Sequence, residues 1–400
     1  MTKAVDLTTD FCGVRFPNPF ILASGPVTDT PEKVIRAFRM GWGGAILKTI
    51  SMEPEKHTQV KPRFGRVKHG ADTIGFTNME VSSTHTLEWW VETVRKIKRE
   101  YPENPIFASI MRTSSRTRQD WVTATEAFQD AGADGIELNF SCSHAFHSGG
   151  GGASIGKDPD ATKTIVEWVM SVARVPVVAK LTVATSYIAQ IAQTAIKAGA
   201  NGITAINSVP GVAGFDLDTF TPSPAVDGFS SFTGYSGPAI KPIGLRCVGE
   251  ILRVNSVPLM GCGGIWNWRD AAEYMLMGAN AVQLCTAPMF QGFDMIDGLT
   301  KGLTQFLAGR GLAGPGELVG AGLPSYKEHS LLSKAYSVVA EIDQAKCIKC
   351  QACYRACRDS ANEAIAWSDE GPSIVSERCI GCSLCRQVCR QKGCISMVQV

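Results

Sequence analysis

One phrase recurs three times along the chain: AGADGIELNF at 131–140, AGANGITAIN at 198–207 and MGANAVQLCT at 277–286. Each joins a glycine suited to ending a helix to a short apolar run, which is how a helix hands over to a buried strand. Comparable runs are PFILAS (19–24), GAILKT (44–49), PIFASI (105–110), GIELNF (135–140), PVVAKL (176–181), GITAIN (202–207), PLMGCG (258–263) and AVQLCT (281–286), giving eight strands. Between most of them lie segments such as TLEWWVETVRKIKREY and DATKTIVEWVMSVA, with apolar residues at helical spacing. Eight strands alternating with helices predict an α/β fold, a TIM (β/α)8 barrel over residues 1–307, and near-continuous apolar strands suit a parallel sheet covered on both faces. An open doubly wound sheet is the alternative; it is disfavoured because the phrase persists to the last strand without a change of pattern.

Two connections are longer than usual, residues 50–85 after the second strand and 208–241 after the sixth, and barrels keep their sites on loops at strand C-termini. Residues 308–340 read as a linker into a small ferredoxin-like domain over 341–400. GRGLAG (309–314) satisfies a dinucleotide-binding pattern, but it follows a helix and runs into Pro315, where that site needs a strand before it and a helix after it.

Of fourteen cysteines, nine fall in the last 54 residues, a clustering that points to metal rather than to disulfides. Cys347, Cys350, Cys353 and Cys357 have the spacing C-x2-C-x2-C-x3-C, and Cys379, Cys382, Cys385 and Cys389 repeat it, which is the run of two-cluster ferredoxins. Three thiolates on one tight loop hold three corners of a cubane and the fourth cysteine of each run reaches the other cluster. The expected ligand sets are therefore Cys347, Cys350, Cys353 and Cys389 for one [4Fe-4S] cluster, and Cys379, Cys382, Cys385 and Cys357 for the second. A zinc site seldom places three cysteines at this spacing. Arg358 and Arg390 stand where such runs usually have proline, and Cys394 is left over as a buried thiol.

Charge excludes some partners. Lys plus Arg number 39 against 37 Asp plus Glu, so no broad nucleic-acid or membrane-surface footprint is expected. The start, MTKAVDLTTDFCGVRF, lacks the apolar region of a signal peptide and no stretch is long and apolar enough for a membrane span, so a cytoplasmic location is expected. With eight Lys/Arg and seven Asp/Glu, residues 341–400 lack the acidity of a freely diffusing ferredoxin, which favours an internal electron wire.

A two-cluster relay needs a partner that exchanges single electrons, and in a barrel the natural one is a flavin. The turns Gly263-Gly264-Ile265 and Cys285-Thr286, after the seventh and eighth strands, are where barrels commonly hold a phosphate through backbone N–H groups. Lys48 and Lys180 end the second and fifth strands, where a cation would stabilise an anionic reduced flavin.

From LASGP near residue 22, through LKT, FTNME, NFSC, AKLT, INS, YSGPAIKPI, GCGGI and LCTA to the double cysteine run, nearly the whole chain resembles the pyrimidine-reducing subunit of bacterial-type dihydropyrimidine dehydrogenases, and more loosely the dihydroorotate dehydrogenase barrel. The resemblance implies FMN held by Ala23, Ser24, Gly25, Lys48, Thr49, Lys180, Gly237, Gly263, Gly264, Ile265, Cys285 and Thr286. It implies a substrate ring held by Asn78, Asn139, Ser141, Asn207 and Ser208, with Cys142 exchanging the proton. It further implies electrons arriving from a partner subunit that carries FAD and oxidises NAD(P)H, in a hetero-oligomer built on a homodimer. The implied reaction is reversible reduction of the C5=C6 bond of uracil or thymine.

The residue chemistry agrees. An asparagine amide offers donor and acceptor together, so Asn78, Asn139 and Asn207 can match the alternating C=O and N–H edge of an imide. A free thiol with a pKa of about 8.5 is mostly protonated at neutral pH and suits an acid better than a nucleophile. The chain departs from the family pattern at Ser143, Ser208 and the VATS segment after AKLT. The same chemistry on another conjugated cyclic substrate, and a non-catalytic electron-transfer subunit, therefore stay open as alternatives. His144 and His147, three apart on a glycine-rich loop, make a poor metal set. Trp89, Trp90, Trp266 and Trp268 are expected to pack or cover helices, and Cys12, Cys247 and Cys262 to be ordinary buried thiols.

Overall fold

The computed structural model describes residues 4–52, 58–111, 117–141, 152–185 and 187–400. It divides into two compact units, Met1–Ser325 and Tyr326–Val400. All eight expected runs are strands: β1 (Phe20–Leu22), β2 (Gly44–Ile46), β3 (Ile106–Met111), β4 (Gly135–Asn139), β5 (Val177–Leu181), β6 (Gly202–Ala205), β7 (Leu259–Cys262) and β8 (Ala281–Leu284). Each pairs in parallel with the next, and β8 pairs back onto β1, so the sheet closes into a TIM barrel with helices between the strands.

The recurring phrase has a structural reason. Gly132, Gly199 and Gly278 have φ of 97°, 109° and 117°, a left-handed turn that L side chains resist. The alanine after each reaches back across the helix end, Ala133 N–H to Phe128 O, Ala200 to Ala195 and Ala279 to Tyr274. The next residue then makes a reciprocal pair with the start of an adjacent strand. Asp134 N–H donates to Ile106 O and its carboxylate accepts from Ile106 N–H; Asn201 does the same with Val177, and Asn280 with Leu259. One short motif thus ends a helix and sets the register of the strands it enters.

The lower lumen is apolar. An N-terminal hairpin, Thr9–Phe11 and Val14–Phe16, inserts Phe11 and Phe16 against Phe107, with ring centroids 6.3 and 6.1 Å apart. Around them pack Ile21, Ile46, Val178, Met260 and Ala281, all buried. At the other end the two long connections pair with each other in a four-stranded antiparallel sheet, ordered 209–211, 233–236, 72–78, 64–69. Gly75 is required there, since a Cβ would lie 2.0 Å from the Tyr235 ring.

Residues 312–323, the first part of the expected linker, are docked on the barrel. Asp6 N–H donates to Ala313 O, Gly320 N–H to Met275 O and Gly322 N–H to Leu276 O, and Leu318 is buried. GRGLAG follows the helix Met295–Ala308 and precedes a 3-10 turn at Pro315–Glu317, so no strand enters it. No helix among the described residues is long and apolar enough to cross a membrane.

In the second unit, Val338–Ile342 pairs antiparallel with Ile395–Gln399, and Ile365–Ser368 with Gly371–Ile374. The helix Ala352–Ser360 carries Cys353 and Cys357 of the first cysteine run, and the helix Leu384–Val388 carries Cys385 of the second, with Cys389 at its C-terminal end.

Candidate active site

The C-terminal ends of the barrel strands open into a cleft enclosing about 1110 Å³ of non-atom space, including its mouth. All twelve residues expected at FMN line the cleft: Ala23, Ser24, Gly25, Lys48, Thr49, Lys180, Gly237, Gly263, Gly264, Ile265, Cys285 and Thr286. Asn78, Asn139, Asn207 and Ser208 line it too. Closure of the barrel brings these together from strand ends as far apart in sequence as Ala23, after the first strand, and Thr286, after the eighth. Cys142, His144, His147 and Ser143 lie outside the described residues.

Ser141 is buried behind the wall, where it ties two amides together. Its hydroxyl donates to Asn139 Oδ1 (2.8 Å) and accepts from Asn207 Nδ2 (2.8 Å). Asn139 Nδ2 in turn donates to Thr49 Oγ1 (2.9 Å), which also contacts the hydroxyls of Ser24 and Ser109, each at 2.9 Å. The chain of contacts fixes the asparagine rotamers that would face a ring. Asn78 comes from the antiparallel sheet and donates to Gly234 O at 3.2 Å.

Both expected lysines are buried, with distinct partners. Lys48 Nζ pairs with Glu80 Oε1 at 2.5 Å, and Arg63 Nε pairs with the other oxygen of Glu80 at 2.5 Å. Lys180 Nζ donates to Gln283 Oε1 at 2.8 Å and lies 3.4 Å from Glu137 Oε1. Burial is the largest single influence on Lys180 and lowers its pKa, but the charge and hydrogen bonding of Glu137, together with the neighbouring Cys262 and Cys285, outweigh it, so the pKa is raised and Lys180 is a cation at neutral pH. Burial pushes the Cys285 thiol up to about 12 and raises that of Cys262, so both are neutral thiols there.

The residues present fit a phosphorylated flavin. Gly263 and Gly264 have φ of 116° and 73°, and a Cβ at Gly264 would meet Lys241 N at 2.4 Å. The turn is held from behind by Asp270, whose Oδ2 accepts from Trp266 and Asn267 N–H while Oδ1 pairs with Lys241 at 2.7 Å. Ser236 and Thr286 hydroxyls meet at 2.9 Å beside it. Ser82 lines the cleft, and its buried Oγ has no hydrogen-bond partner among the described residues.

The sequence did not mark Glu80, Ser82, Phe64, Phe76, Met289 or Gln283, all of which line the cleft. FTNME contained Glu80, whose position two residues beyond Asn78 was the available signal. Trp266 was expected only to pack or cover helices; it packs on Phe290, with centroids 5.7 Å apart, and also lines the cleft, as does Cys262.

In the second unit the thiols divide as the spacing suggested. One small cavity is walled by Cys347, Cys350, Cys353 and Cys389, with Cys394 beside them. Another is walled by Cys357, Cys379, Cys382 and Cys385. Left-handed residues flank the second cysteine of each run, Lys349 and Gln351 about Cys350, Gly381 and Ser383 about Cys382, a backbone that can turn N–H groups toward an anion. Among the described residues no three ligating side chains converge as they would on a single ion.

Comparison with known proteins agrees with this geometry. Residues 6–307 match the family described as dihydroorotate dehydrogenase, and residues 340–397 match a 4Fe-4S dicluster domain. The chain is 37% identical over 373 residues to the NAD-dependent dihydropyrimidine dehydrogenase subunit PreA of Escherichia coli, covering 91% of this chain and 88% of that protein. It is 33% identical to the chloroplastic dihydropyrimidine dehydrogenase (NADP(+)) of Arabidopsis thaliana, covering 85% and 82%. With the catalytic subunit of dihydroorotate dehydrogenase B (NAD(+)) of Pyrococcus abyssi it shares 35% identity, covering 79% of this chain and 99% of that one. A closed barrel with its cleft at the strand ends, joined to a dicluster domain, thus places the chain in the dihydroorotate dehydrogenase family, oxidoreductases acting on CH–CH groups.

Proposed function

We propose that the chain is the catalytic subunit of a dihydropyrimidine dehydrogenase, reversibly reducing the C5=C6 bond of uracil or thymine in the cytoplasm. The observation that carries this is the ring of strand-end residues in which the buried cation Lys180 and the linked amides of Asn139 and Asn207 face one cleft. Similarity to two dihydropyrimidine dehydrogenases along most of the chain supports the substrate class.

FMN, when bound, supplies the hydride donor, and iron-sulfur clusters supply it with single electrons. FMN would lie against Ala23, Ser24, Gly25, Thr49, Gly237, Gly263, Gly264, Ile265, Cys285 and Thr286, with the charges of Lys48 and Lys180 at the cleft floor. Asn78, Asn139 and Asn207 orient the imide edge of the ring, with Ser141 and Ser208 holding the amides. Ser208 N–H donates to Asn207 Oδ1 at 2.8 Å, which fixes which way that amide points. Cys142 gives a proton to the ring carbon neighbouring the reduced one. The clusters would be held by Cys347, Cys350, Cys353 and Cys389, and by Cys379, Cys382, Cys385 and Cys357. Electrons come from a partner subunit bearing FAD and oxidising NAD(P)H, in a hetero-oligomer built on a homodimer; the printed name of PreA as a subunit supports a partner.

The test is to reduce the anaerobically reconstituted protein and add uracil, thymine or unrelated cyclic enones. Flavin reoxidation by the pyrimidines is expected, and silence with both pyrimidines but not with an enone overturns the substrate. Cys142→Ala should keep FMN and ring binding while turnover falls about 10²- to 10⁴-fold. Near-normal turnover removes Cys142 from the reaction.

A further inference from the structure

Directly beneath the cleft floor the barrel lumen contains a carboxylate. Glu137 on β4 is 0% exposed, as deep as the apolar plug residues. Its Oε2 accepts from Thr204 Oγ1 on β6 (3.1 Å) and from Gln283 Nε2 on β8 (2.8 Å). The other end of the same Gln283 amide accepts from Lys180 Nζ on β5 at 2.8 Å. Oε1 of Glu137 receives no hydrogen bond among the described residues and lies 3.4 Å from Lys180 Nζ. Residues on four strands thus close one polar layer, with a single amide spanning the two charges.

Neither charge would survive there alone. A buried ammonium or carboxylate without its partner shifts its pKa and neutralises. The two thiols nearest Lys180, Cys262 and Cys285, are held protonated by burial and offer it no negative charge at neutral pH. Lys48 has its own partner in Glu80. Glu137 is therefore the counter-charge of Lys180 among the described residues. The ammonium has three hydrogens, one given to Gln283, and Lys180 also lines the cleft.

We propose that Glu137, acting through Gln283, is a positioning residue that keeps Lys180 protonated and aimed into the cleft, so that Lys180 serves as the fixed cation for the flavin. This rests on the reading that the cleft binds FMN. A purely structural carboxylate predicts the opposite sign. If Lys180 stayed charged without Glu137, deleting a negative charge would make the bound flavin easier to reduce; if Lys180 loses its proton, the flavin becomes harder to reduce.

The experiment uses the full chain, reconstituted anaerobically, and titrates the oxidised flavin with sulfite, whose affinity rises with positive charge nearby, together with the midpoint potential. Glu137→Gln should weaken sulfite binding about tenfold or more and move the potential negative. Lys180→Met should act in the same direction, and the double variant should add nothing to Lys180→Met, because both remove one charge. Unchanged or tighter sulfite binding in Glu137→Gln overturns the proposal. Should that variant fail to fold, Gln283→Leu keeps the carboxylate and cuts the relay. It should shift sulfite affinity the same way, and no shift in the folded variant is equally fatal. These readouts need no substrate, so they stand even if the wild-type protein ignores pyrimidines. A wild-type chain that takes up no FMN removes both readings together.

Discussion

The barrel and the cysteine-rich unit fill their interiors with different material. The barrel is packed by its own side chains, Trp42, Trp90, Phe20, Phe128 and many aliphatic residues, all fully buried. The second unit has a small core of Ala340, Cys353, Cys357, Ala364, Ile365, Cys385, Cys394 and Ile395. Half of those eight are cysteines, and three of the four are proposed ligands. Thiols facing a cavity contribute little hydrophobic stabilisation, and chains of this length commonly need a staple. The contrast leads us to expect that the barrel folds by its own packing and that the second unit depends on the clusters it is proposed to hold.

The largest effect should come from iron removal. Anaerobic chelation is expected to unfold residues 326–400 while leaving the barrel folded, seen as proteolytic cleavage confined to that segment. A tail that stays protease-resistant without iron would erase the distinction between the units. The sharper test of the barrel is Phe107→Ala, which leaves Phe11 and Phe16 without the ring they pack on. Urea unfolding should show a loss of about 3–5 kcal/mol, as for large aromatic deletions in packed cores, with iron content unchanged. A loss within experimental error would mean the hairpin plug is not part of the core.

The two units also differ in how far the sequence reveals them. The grouping of cysteines around two cavities was legible because each run is local, and only the places of Cys357 and Cys389 in the opposite cavity's wall required long-range reasoning. The barrel strands were legible because AGADGIELNF and its relatives carry both a helix end and a strand start. The cleft-lining positions followed, since strand ends define the mouth once the count is eight. The polar layer was not legible. Glu137, Lys180, Thr204 and Gln283 lie on four separate strands, and each looks like an isolated polar residue in an apolar run until the barrel closes. The antiparallel sheet over the cleft was hidden for a similar reason: its outer strand, Val209–Gly211, is three residues long and finds its partner 22 residues later at Thr233. The docked segment 312–323 was read as linker because its glycines and prolines signal turns, and backbone hydrogen bonds to Met275 and Leu276 leave no mark in composition.

The recurring phrase offers the smallest and most discriminating test of the barrel's self-sufficiency. Asn280 Oδ1 accepts from Leu259 N–H at 3.0 Å, and Leu259 is fully buried, so Asn280→Ala leaves that donor at the start of β7 without its partner. An orphaned buried N–H costs roughly 1–3 kcal/mol, and urea unfolding should show a loss in that range. Asn280→Asp should recover most of it, because Asp134 plays the same part for Ile106 with a carboxylate oxygen at 2.8 Å. Equal losses in the two variants would mean that the residue matters for something other than its side-chain oxygen. The repetition at Asp134, Asn201 and Asn280 would then not be explained by the reciprocal bond. Recovery by aspartate alone would instead show that one acceptor atom, placed one residue past each Gly-Ala turn, aligns three pairs of strands without help from any bound group.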